Sequence, residues 1–298
     1  VAIIGDYGMN NEDQAAVAEL VHSWSPDLLL TVGDNNYQTG SSKSIDDNIG
    51  QYFQRYISPY SGNYGEGAET NQVYPCPGNH DWMGIEGLTP YTDYFELPGN
   101  ERYYRYAHGE DGLLEVFCVD SDSREPDGNE PDSVQAEWLR DSLSDSSATW
   151  RIVTLHHPPY SSGVHHNQDN LQWSYGAWGA QVVMGGHDHN FERIIRDDVL
   201  YTVNGAGGAR LRSMKDPTEG TQVWDVTYHG AQRLRFYGQW MVAEFIGTGG
   251  ELIDQVWVHA EHSLQASSAL IPAGASWRYL DTGVEPDEDW TDIAFDDS

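Results

Sequence analysis

Short apolar runs that end in a cluster of polar residues recur along the first part of this 298-residue chain. The clearest run, Leu28–Val32, is predicted to be a buried strand, and Gly33-Asp34-Asn35-Asn36-Tyr37 follows it directly. A single cluster of this kind would be an ordinary turn with a solvated carboxylate. Because such clusters recur at one predicted strand end after another, they indicate a sheet whose strand ends build a site.

The order of predicted elements indicates an α/β fold. A strand over 1–4, a helix over 12–24 capped by Asn10 or Asn11, and a strand over 28–32 form a βαβ unit, which implies parallel pairing through a right-handed crossover. Further helices are predicted over 51–57, 132–143 with Asp132 as the cap, and 170–179. Further strands are predicted over 103–106, 113–119, 151–155, 181–184, 199–203, 222–228, 238–245 and 252–259. We therefore predict two packed mixed β-sheets flanked by helices.

The character of the chain changes near residue 262. Predicted strands and helices fill residues 1–262, whereas residues 263–298 contain Pro, Gly and an acid-rich end. We predict one domain over 1–262, followed over 263–298 by a linker and the start of a truncated C-terminal β-sandwich module. This second prediction rests on a likeness of fold alone.

The charge of the chain excludes one class of partner. Fifteen basic residues face 47 acidic residues, and the net charge is −32. A chain of this charge is not expected to present a nucleic-acid binding surface. No apolar run is long enough for a transmembrane helix. Cys76 and Cys118 lie in apolar runs, which favours two buried free thiols over a disulfide without excluding the disulfide.

The polar residues at the predicted strand ends are of the types that bind metal ions. In open α/β sheets ligands bind at the carboxyl ends of strands, so these residues are expected to converge. Carboxylates, imidazoles, a carboxamide and a phenol are suitable ligands, and no thiolate is among them. The candidates are Asp6, Asp34, Tyr37, Asn79, His80, His156, His187 and His189. A histidine on its own, such as His22 or His108, is expected to be a packing or surface residue.

Five sequence blocks resemble those of the calcineurin-like metallophosphoesterases. They are Gly5-Asp6, Gly33-Asp34-Asn35-Asn36-Tyr37, Gly78-Asn79-His80-Asp81, Val153-Thr154-Leu155-His156 and Gly186-His187-Asp188-His189. Tyr37, three positions after Asp34, and the extension Asn190-Phe191-Glu192-Arg193 resemble the purple acid phosphatase branch. The resemblance covers about residues 1–262, which would make that region the catalytic domain, and it implies the four-layer metallophosphoesterase sandwich.

This resemblance implies a binuclear metal centre. Asp6, Tyr37 and His189 would hold Fe(III), whose preference for hard anionic ligands fits two carboxylates and a phenolate. Asn79, His156 and His187 would hold Zn, Mn or Fe(II), and Asp34 would bridge the two ions. The expected reaction is hydrolysis of phosphate monoesters by attack of a metal-bound hydroxide. A phosphodiesterase or nucleotide hydrolase on the same fold, and a non-catalytic binding module, are the alternatives.

The resemblance also assigns residues beyond the ligands. His80 would contact the phosphate and protonate the leaving group, with Asp81 orienting it, and His165 is preferred to His166 as a second imidazole. His157 is expected to support the site, and Trp82 and Tyr160 either wall the pocket or pack elsewhere. The expected partner is a small phosphorylated substrate, and the expected location is secreted or periplasmic. The natural substrate and the oligomeric state stay open.

Overall fold

Two mixed β-sheets form the centre of the structure, a computed structural model that describes residues 1–261. The strands are β1 (Ala2–Ile4), β2 (Leu29–Thr31), β3 (Val73–Pro75), β4 (Tyr104–His108), β5 (Leu114–Cys118), β6 (Trp150–Thr154), β7 (Val182–Gly185), β8 (Phe191–Arg196), β9 (Val199–Asn204), β10 (Thr221–Asp225), β11 (Gly230–Tyr237), β12 (Trp240–Gly247) and β13 (Leu252–His259). The α-helices are α1 (Glu12–Trp24), α2 (Gln51–Phe53), α3 (Asn79–Trp82), α4 (Thr89–Tyr94), α5 (Val134–Asp145) and α6 (Tyr175–Trp178).

Each sheet combines a parallel part with antiparallel strands. The first sheet has the order β13-β12-β11-β1-β2-β3, in which β1, β2 and β3 pair in parallel. The second has the order β10-β8-β9-β7-β6-β5-β4, in which β5, β6, β7 and β9 pair in parallel. Because ligands bind at the carboxyl ends of parallel strands, the parallel part of each sheet can contribute to one site.

The alternation of side chains along the strands builds a four-layer sandwich. Ile152 on β6 joins the apolar cluster that also holds Ile3 and Leu30 of the first sheet. The next residue, Val153, points to the opposite face and packs with Leu139 of α5. Since helix α1 packs on the first sheet through residues such as Val17, both sheets are covered. The predicted fold class is confirmed.

The caps of the two longer helices show which local predictions hold. Asn11 caps α1, since its Oδ1 accepts a hydrogen bond from the backbone N–H of Gln14 at 2.9 Å. For α5 the predicted cap was wrong, because Ser133 rather than Asp132 accepts the bond from Ala136 N–H. At 13 residues α1 is the longest described helix, and none of the described helices could cross a membrane.

Several predicted elements differ from the structure. Residues 51–57 form α2 and a 3₁₀ turn (Gln54–Tyr56) that continue a π-helical turn (Asp46–Gly50). Within 170–179 the helix is limited to α6, after a 3₁₀ turn (Asp169–Leu171). Strands β8 and β11 were not predicted, because charged side chains interrupt their apolar pattern. Cys76 and Cys118 are buried free thiols. The module predicted over 263–298 lies outside the described residues.

Candidate metal centre

Strands from both sheets end at one cluster of polar side chains. Three of these strands, β1, β2 and β3, belong to the first sheet, and β6 and β7 belong to the second. The residues that follow them are Asp6 after β1, Asp34 and Tyr37 after β2, Asn79 after β3, His156 after β6, and His187 and His189 after β7. The cluster therefore lies where the carboxyl ends of the parallel strands of both sheets meet.

One half of the cluster gathers around the phenol of Tyr37. Its hydroxyl donates hydrogen bonds to Asp6 Oδ1 at 3.1 Å and to Asp34 Oδ2 at 2.9 Å. The same oxygen lies 3.3 Å from Nε2 of His189, which is 3.3 Å from Asp6 Oδ1. The structure thus brings together the side chains of Asp6, Tyr37 and His189, with one oxygen of Asp34 beside them.

The other half of the cluster gathers around Nε2 of His156. This nitrogen lies 3.0 Å from Asn79 Oδ1, 3.2 Å from His187 Nδ1 and 3.4 Å from Asp34 Oδ1. Asp34 therefore presents Oδ1 to this half and Oδ2 to the Tyr37 half. Asp34 could therefore contribute to cation binding in both halves of the cluster.

Burial and backbone conformation both set this cluster apart. Asp6 and His156 are fully buried and Asp34 is 1% exposed. Asp6, Asp34 and His187 have φ values of 54°, 53° and 69°, a left-handed region that residues other than glycine seldom adopt. Such conformations cost about 1–3 kcal/mol each and cluster at functional sites. In the described part of the chain the ion-pair partners of both carboxylates are histidines, so a bound cation would stabilise them.

The contacts of His156 show how a cation would fit. Its Nδ1 lies 2.9 Å from the carbonyl of Val32, and a proton there would leave Nε2 directed into the cluster. Burial alone would lower the pKa of His156, but the Asp34 carboxylate outweighs burial and raises it to about 10. Burial, followed by the charge of His156, depresses the pKa of His187. Without a metal ion, a proton on His156 Nε2 occupies the centre of this donor set, and a cation could replace it.

Gly33 leaves the space that His156 needs. Its φ is +89°, and a Cβ atom at this position would lie 2.5 Å from His156 Nδ1. Glycine adopts this conformation at no steric cost and presents no side chain to the ring. The glycine before Asp34 is therefore part of the site.

His80 lies at the cavity side of the cluster. Its backbone N–H donates to Asp34 Oδ1 at 2.8 Å, and its ring packs 4.3 Å from the ring of Tyr37. The ring Nδ1 lies 2.5 Å from the carbonyl of Gln38, and Nε2 is 3.9 Å from Asp34 Oδ2. With a proton on both ring nitrogens, Nδ1–H would anchor the ring and leave Nε2–H for another acceptor.

The hydrogen bonds of the Asp81 carboxylate go to groups other than the ring of His80. The Oδ2 atom accepts hydrogen bonds from Gly78 N–H at 2.8 Å, Asn35 N–H at 3.2 Å and Asn35 Nδ2 at 2.9 Å. Burial, and then the charge of Asp34, raise the pKa of Asp81 to about 7. Asp81 thus ties the loop after β3 to the loop after β2. The sequence analysis did not identify Asn35 as the partner.

Two further histidines lie beside the second half of the cluster. The ring of His165 packs 4.1 Å from that of His187, and its Nε2 contacts Arg212 Nη1. His166 is exposed. His157 bonds Ser121 Oγ through Nδ1 at 3.0 Å, and its ring lies 4.4 Å from that of His187. Nitrogens of His156, His157 and His187 all lie within 4.8 Å of one another, so His157 is a further potential metal ligand.

A cavity of about 690 Å³ opens beside the cluster. Its lining is formed by Met9, Tyr37, Gln38, His80, Val164, His189, Ala209, Arg210, Leu211, Arg212 and Ser213. Trp82 instead donates to Asp120 Oδ2 at 2.9 Å, and Tyr160 packs against Tyr201, so neither walls this cavity. The sequence analysis also missed Arg210 and Arg212. Two arginines in three residues, after a glycine-rich stretch of a very acidic chain, were the available signal.

Comparison with known sequences agrees with this geometry. Residues 1–191 match the family model described as calcineurin-like phosphoesterase. Purple acid phosphatase 17 of Arabidopsis thaliana is 26% identical over 89% of this chain and 85% of its own length. Tartrate-resistant acid phosphatase type 5 of Rattus norvegicus is 24% identical over 64% of this chain. The aligned part spans 64% of the rat enzyme's length.

Solved structures match the fold over most of the chain. A protein titled GAP50, the anchor in the inner membrane complex of Plasmodium, superposes with a TM-score of 0.67 at 17% identity, covering 88% of this chain and 89% of its own. A purple acid phosphatase from yellow lupin (Lupinus luteus) seeds gives a TM-score of 0.65 at 17% identity, and the superposition covers 87% of this chain and 53% of the lupin enzyme. At such low identities these likenesses establish the fold, and the side chains of the site must indicate the chemistry.

Metal affinity of the metal-free protein should rise with pH, because the proton on His156 must leave before Nε2 can bind a cation. With the pKa of His156 raised to about 10, the proton is bound throughout the neutral range. One displaced proton predicts an affinity for Zn²⁺ about tenfold higher for each pH unit between about pH 6 and about pH 8. Competition with a chelator, and calorimetry in buffers of different ionisation enthalpy, would measure affinity and proton release. An affinity that does not change with pH would contradict this prediction.

Proposed function

The chain belongs to the calcineurin-like phosphoesterase family, and we propose that it is a metal-dependent phosphatase that hydrolyses phosphate monoesters. The resemblance found in the five sequence blocks is thereby confirmed. One observation carries the proposal: each of the seven predicted ligand side chains has a donor atom within 3.4 Å of another's. A member of the family that had lost its activity would not be expected to keep these contacts, together with a strained backbone and buried carboxylates.

The ligand set supports an unequal pair of ions. Asp6, Tyr37 and His189 would hold Fe(III), Asn79, His156 and His187 would hold Zn, Mn or Fe(II), and Asp34 would bridge them. Burial, followed by the charges of Asp6 and Asp34, raises the pKa of the Tyr37 phenol well above its usual value. A phenolate there needs a strongly charged ion, which favours the trivalent one. When bound, such a pair clamps a phosphoryl group and lowers the pKa of a water molecule.

The histidines beside the cluster are proposed to bind and protonate the substrate. His80 would hold its ring through Nδ1–H to the carbonyl of Gln38 and donate the Nε2 proton to the leaving oxygen. Asp81 would contribute by fixing the loop that carries His80, since its bonds go to Asn35 and Gly78. His165, whose ring packs on that of His187, would contact the phosphate as the second imidazole.

The two alternative functions make different demands on the chain. A non-catalytic binding module would not need a complete ligand set, and the contacts described here favour catalysis over it. A phosphodiesterase or nucleotide hydrolase would use the same ligands, so only the shape and charge of the cavity separate it from a monoesterase. The secreted or periplasmic location stays a prediction, as does the lack of a nucleic-acid binding surface.

Removal of metal should abolish hydrolysis, and reconstitution should restore it. We expect the metal-free protein to hydrolyse 4-nitrophenyl phosphate at background rate and to recover on addition of iron with zinc or manganese. Asn79→Ala should lower kcat by at least about 100-fold and reduce metal content by one ion per chain. Asn63→Ala, an exposed asparagine outside the cluster, is the matched control. Unchanged turnover after verified metal removal, or full activity of Asn79→Ala with two ions bound, would refute the proposal.

A visible absorption spectrum tests the trivalent ion independently of turnover. If Tyr37 binds Fe(III) as a phenolate, the purified protein should be purple through a phenolate-to-iron charge-transfer band, with one iron per chain by metal analysis. Tyr37→Phe should remove the colour, while Tyr64→Phe, an exposed tyrosine away from the cluster, should keep it. A colourless protein that binds two divalent ions would leave the phosphoesterase assignment in place and refute Fe(III).

The role of His80 is tested by changing the leaving group. An alkoxide leaving group needs a proton far more than 4-nitrophenolate does. His80→Ala should therefore slow the hydrolysis of alkyl phosphates by about 100-fold or more, and that of 4-nitrophenyl phosphate much less. The measurement is kcat/KM for both substrates at several pH values. His166→Ala, an exposed neighbour of the site, is the control. Equal losses on both substrates would exclude proton donation by His80.

A further inference from the structure

Eight of the twelve arginines in residues 1–261 have a carboxylate partner, but the two that line the cavity do not. The chain holds 15 basic and 47 acidic residues. Eight described arginines lie within 4.0 Å of a carboxylate: Arg102, Arg105, Arg124, Arg140, Arg193, Arg196, Arg233 and Arg235. Neither Arg210 nor Arg212 has such a partner among the described residues, although both line the cavity. Arg55 and Arg151, the other two described arginines without a carboxylate partner, lie outside the cavity lining.

The segment that carries these arginines is fixed to the metal cluster. We call residues 209–213 the arginine loop. The backbone N–H of Ala209 donates to the carbonyl of Asp6 at 2.9 Å, and that of Arg212 donates to the carbonyl of His189 at 2.9 Å. The Nδ1 atom of His189 lies 2.9 Å from the carbonyl of Arg210, so a proton on Nδ1 would bond there. Three bonds therefore hold the arginine loop on two of the proposed ligand residues.

The glycine-rich stretch before the arginine loop makes this approach possible. A Cβ atom on Gly205 would lie 2.2 Å from the carbonyl oxygen of Asp188 and 2.9 Å from Asp6 Oδ2. Any larger residue would push the backbone away from the cluster. The arginine loop is thus placed by close backbone packing, and both of its arginines line the cavity.

We propose that Arg210 and Arg212 determine substrate specificity by binding a second phosphate group, carried by the leaving group of the substrate. This proposal rests on the proposed function, because the phosphate to be cleaved is assigned to the metal cluster. The cavity is lined both by Tyr37 and His189 of the cluster and by the two arginines. At about 690 Å³ it has room for a small ligand that reaches both.

The chemistry of the arginines favours a phosphate as their ligand. Guanidinium groups bind phosphate through paired, charge-assisted hydrogen bonds. Arg212 is half-buried against His165 while Arg210 is exposed, so one group lies deeper and the other nearer the mouth. A neutral leaving group would leave both without an anionic partner. In a chain of net charge −32, these cations also offset the repulsion that a substrate with two phosphates would meet.

The test compares substrates that differ by the second phosphate. The kcat/KM values of glucose 6-phosphate, glucose 1,6-bisphosphate and a nucleoside diphosphate would be measured for the wild type, Arg210→Gln, Arg212→Gln and the double variant. We expect the wild type to prefer at least one doubly phosphorylated substrate by about tenfold or more, and the double variant to lose that preference. Glucose 6-phosphate should change less than about threefold. A preference for glucose 1,6-bisphosphate would identify a second phosphate held as an ester, and a preference for the nucleoside diphosphate would identify one held in an anhydride.

Controls separate specificity from structure. Arg55→Gln, an exposed arginine outside the cavity lining, should change nothing, and Arg212→Lys should retain part of the preference. Metal content is measured for every variant, because Arg212 contacts His165 beside His187. A wild type without preference for the second phosphate, or an equal loss on all substrates in the double variant, would overturn the proposal.

A binding measurement keeps the proposal independent of turnover. Calorimetry with methylenediphosphonate, which cannot be hydrolysed, would compare the metal-loaded wild type with the double variant. We expect the variant to bind it about tenfold or more weakly, with a similar affinity of both for inorganic phosphate. If no substrate is hydrolysed but this difference is found, the proposed function fails and the arginine site stands. Equal binding of methylenediphosphonate by both proteins would overturn the arginine site.

Discussion

The carboxylate of Asp34 is the group on which the site depends. It is buried at the edge between the two sheets and accepts a hydrogen bond from the Tyr37 hydroxyl at 2.9 Å and one from the backbone N–H of His80 at 2.8 Å. Its Oδ1 lies 3.4 Å from His156 Nε2. Since β2, β3 and β6 supply these partners, one buried charge connects loops from both sheets. A buried carboxylate is stable only when paired, so these contacts are requirements of the fold as well as of the chemistry.

The surroundings of Asp34 illustrate how a fold accommodates a destabilising site. The residue adopts a left-handed backbone conformation, and its neighbour Asn35 is fully buried. Asn35 compensates by donating to Asp81 and to the carbonyl of Cys76, and by accepting a bond from Thr31. The side chain of Asn35 therefore has its hydrogen bonds within the protein, whereas among residues 1–261 the ion-pair partners of Asp6 and Asp34 are histidines.

The sequence predicts that these side chains lie together because each is placed by the strand before it. Asp6, Asp34 and His156 each follow an apolar run that is a buried strand, and parallel strands carry such residues to a common edge. Strand β11 was not predicted because Arg233 and Arg235 interrupt its apolar pattern, and both arginines pair with Glu244 of the neighbouring strand. Such pairs become apparent only once the strands that carry them are known to be neighbours. For the same reason the sequence could not show that the hydrogen bonds of Asp81 go to Asn35, or that Arg212 reaches His165.

The fold brings the polar side chains of the site together, whereas the charges around the cavity are proposed to select the substrate. Solved structures share this fold at only 17% identity, so the sandwich alone does not indicate the chemistry. The polar residues at the strand ends are the proposed metal ligands. Substrate choice then falls to the loops around them, and here the arginine loop places two cations beside a cluster rich in anions. Because Arg210 and Arg212 are fixed through Asp6 and His189, a change in either ligand loop would also move the groups proposed to select the substrate. If both proposals hold, metal binding and substrate selection would be coupled through the backbone.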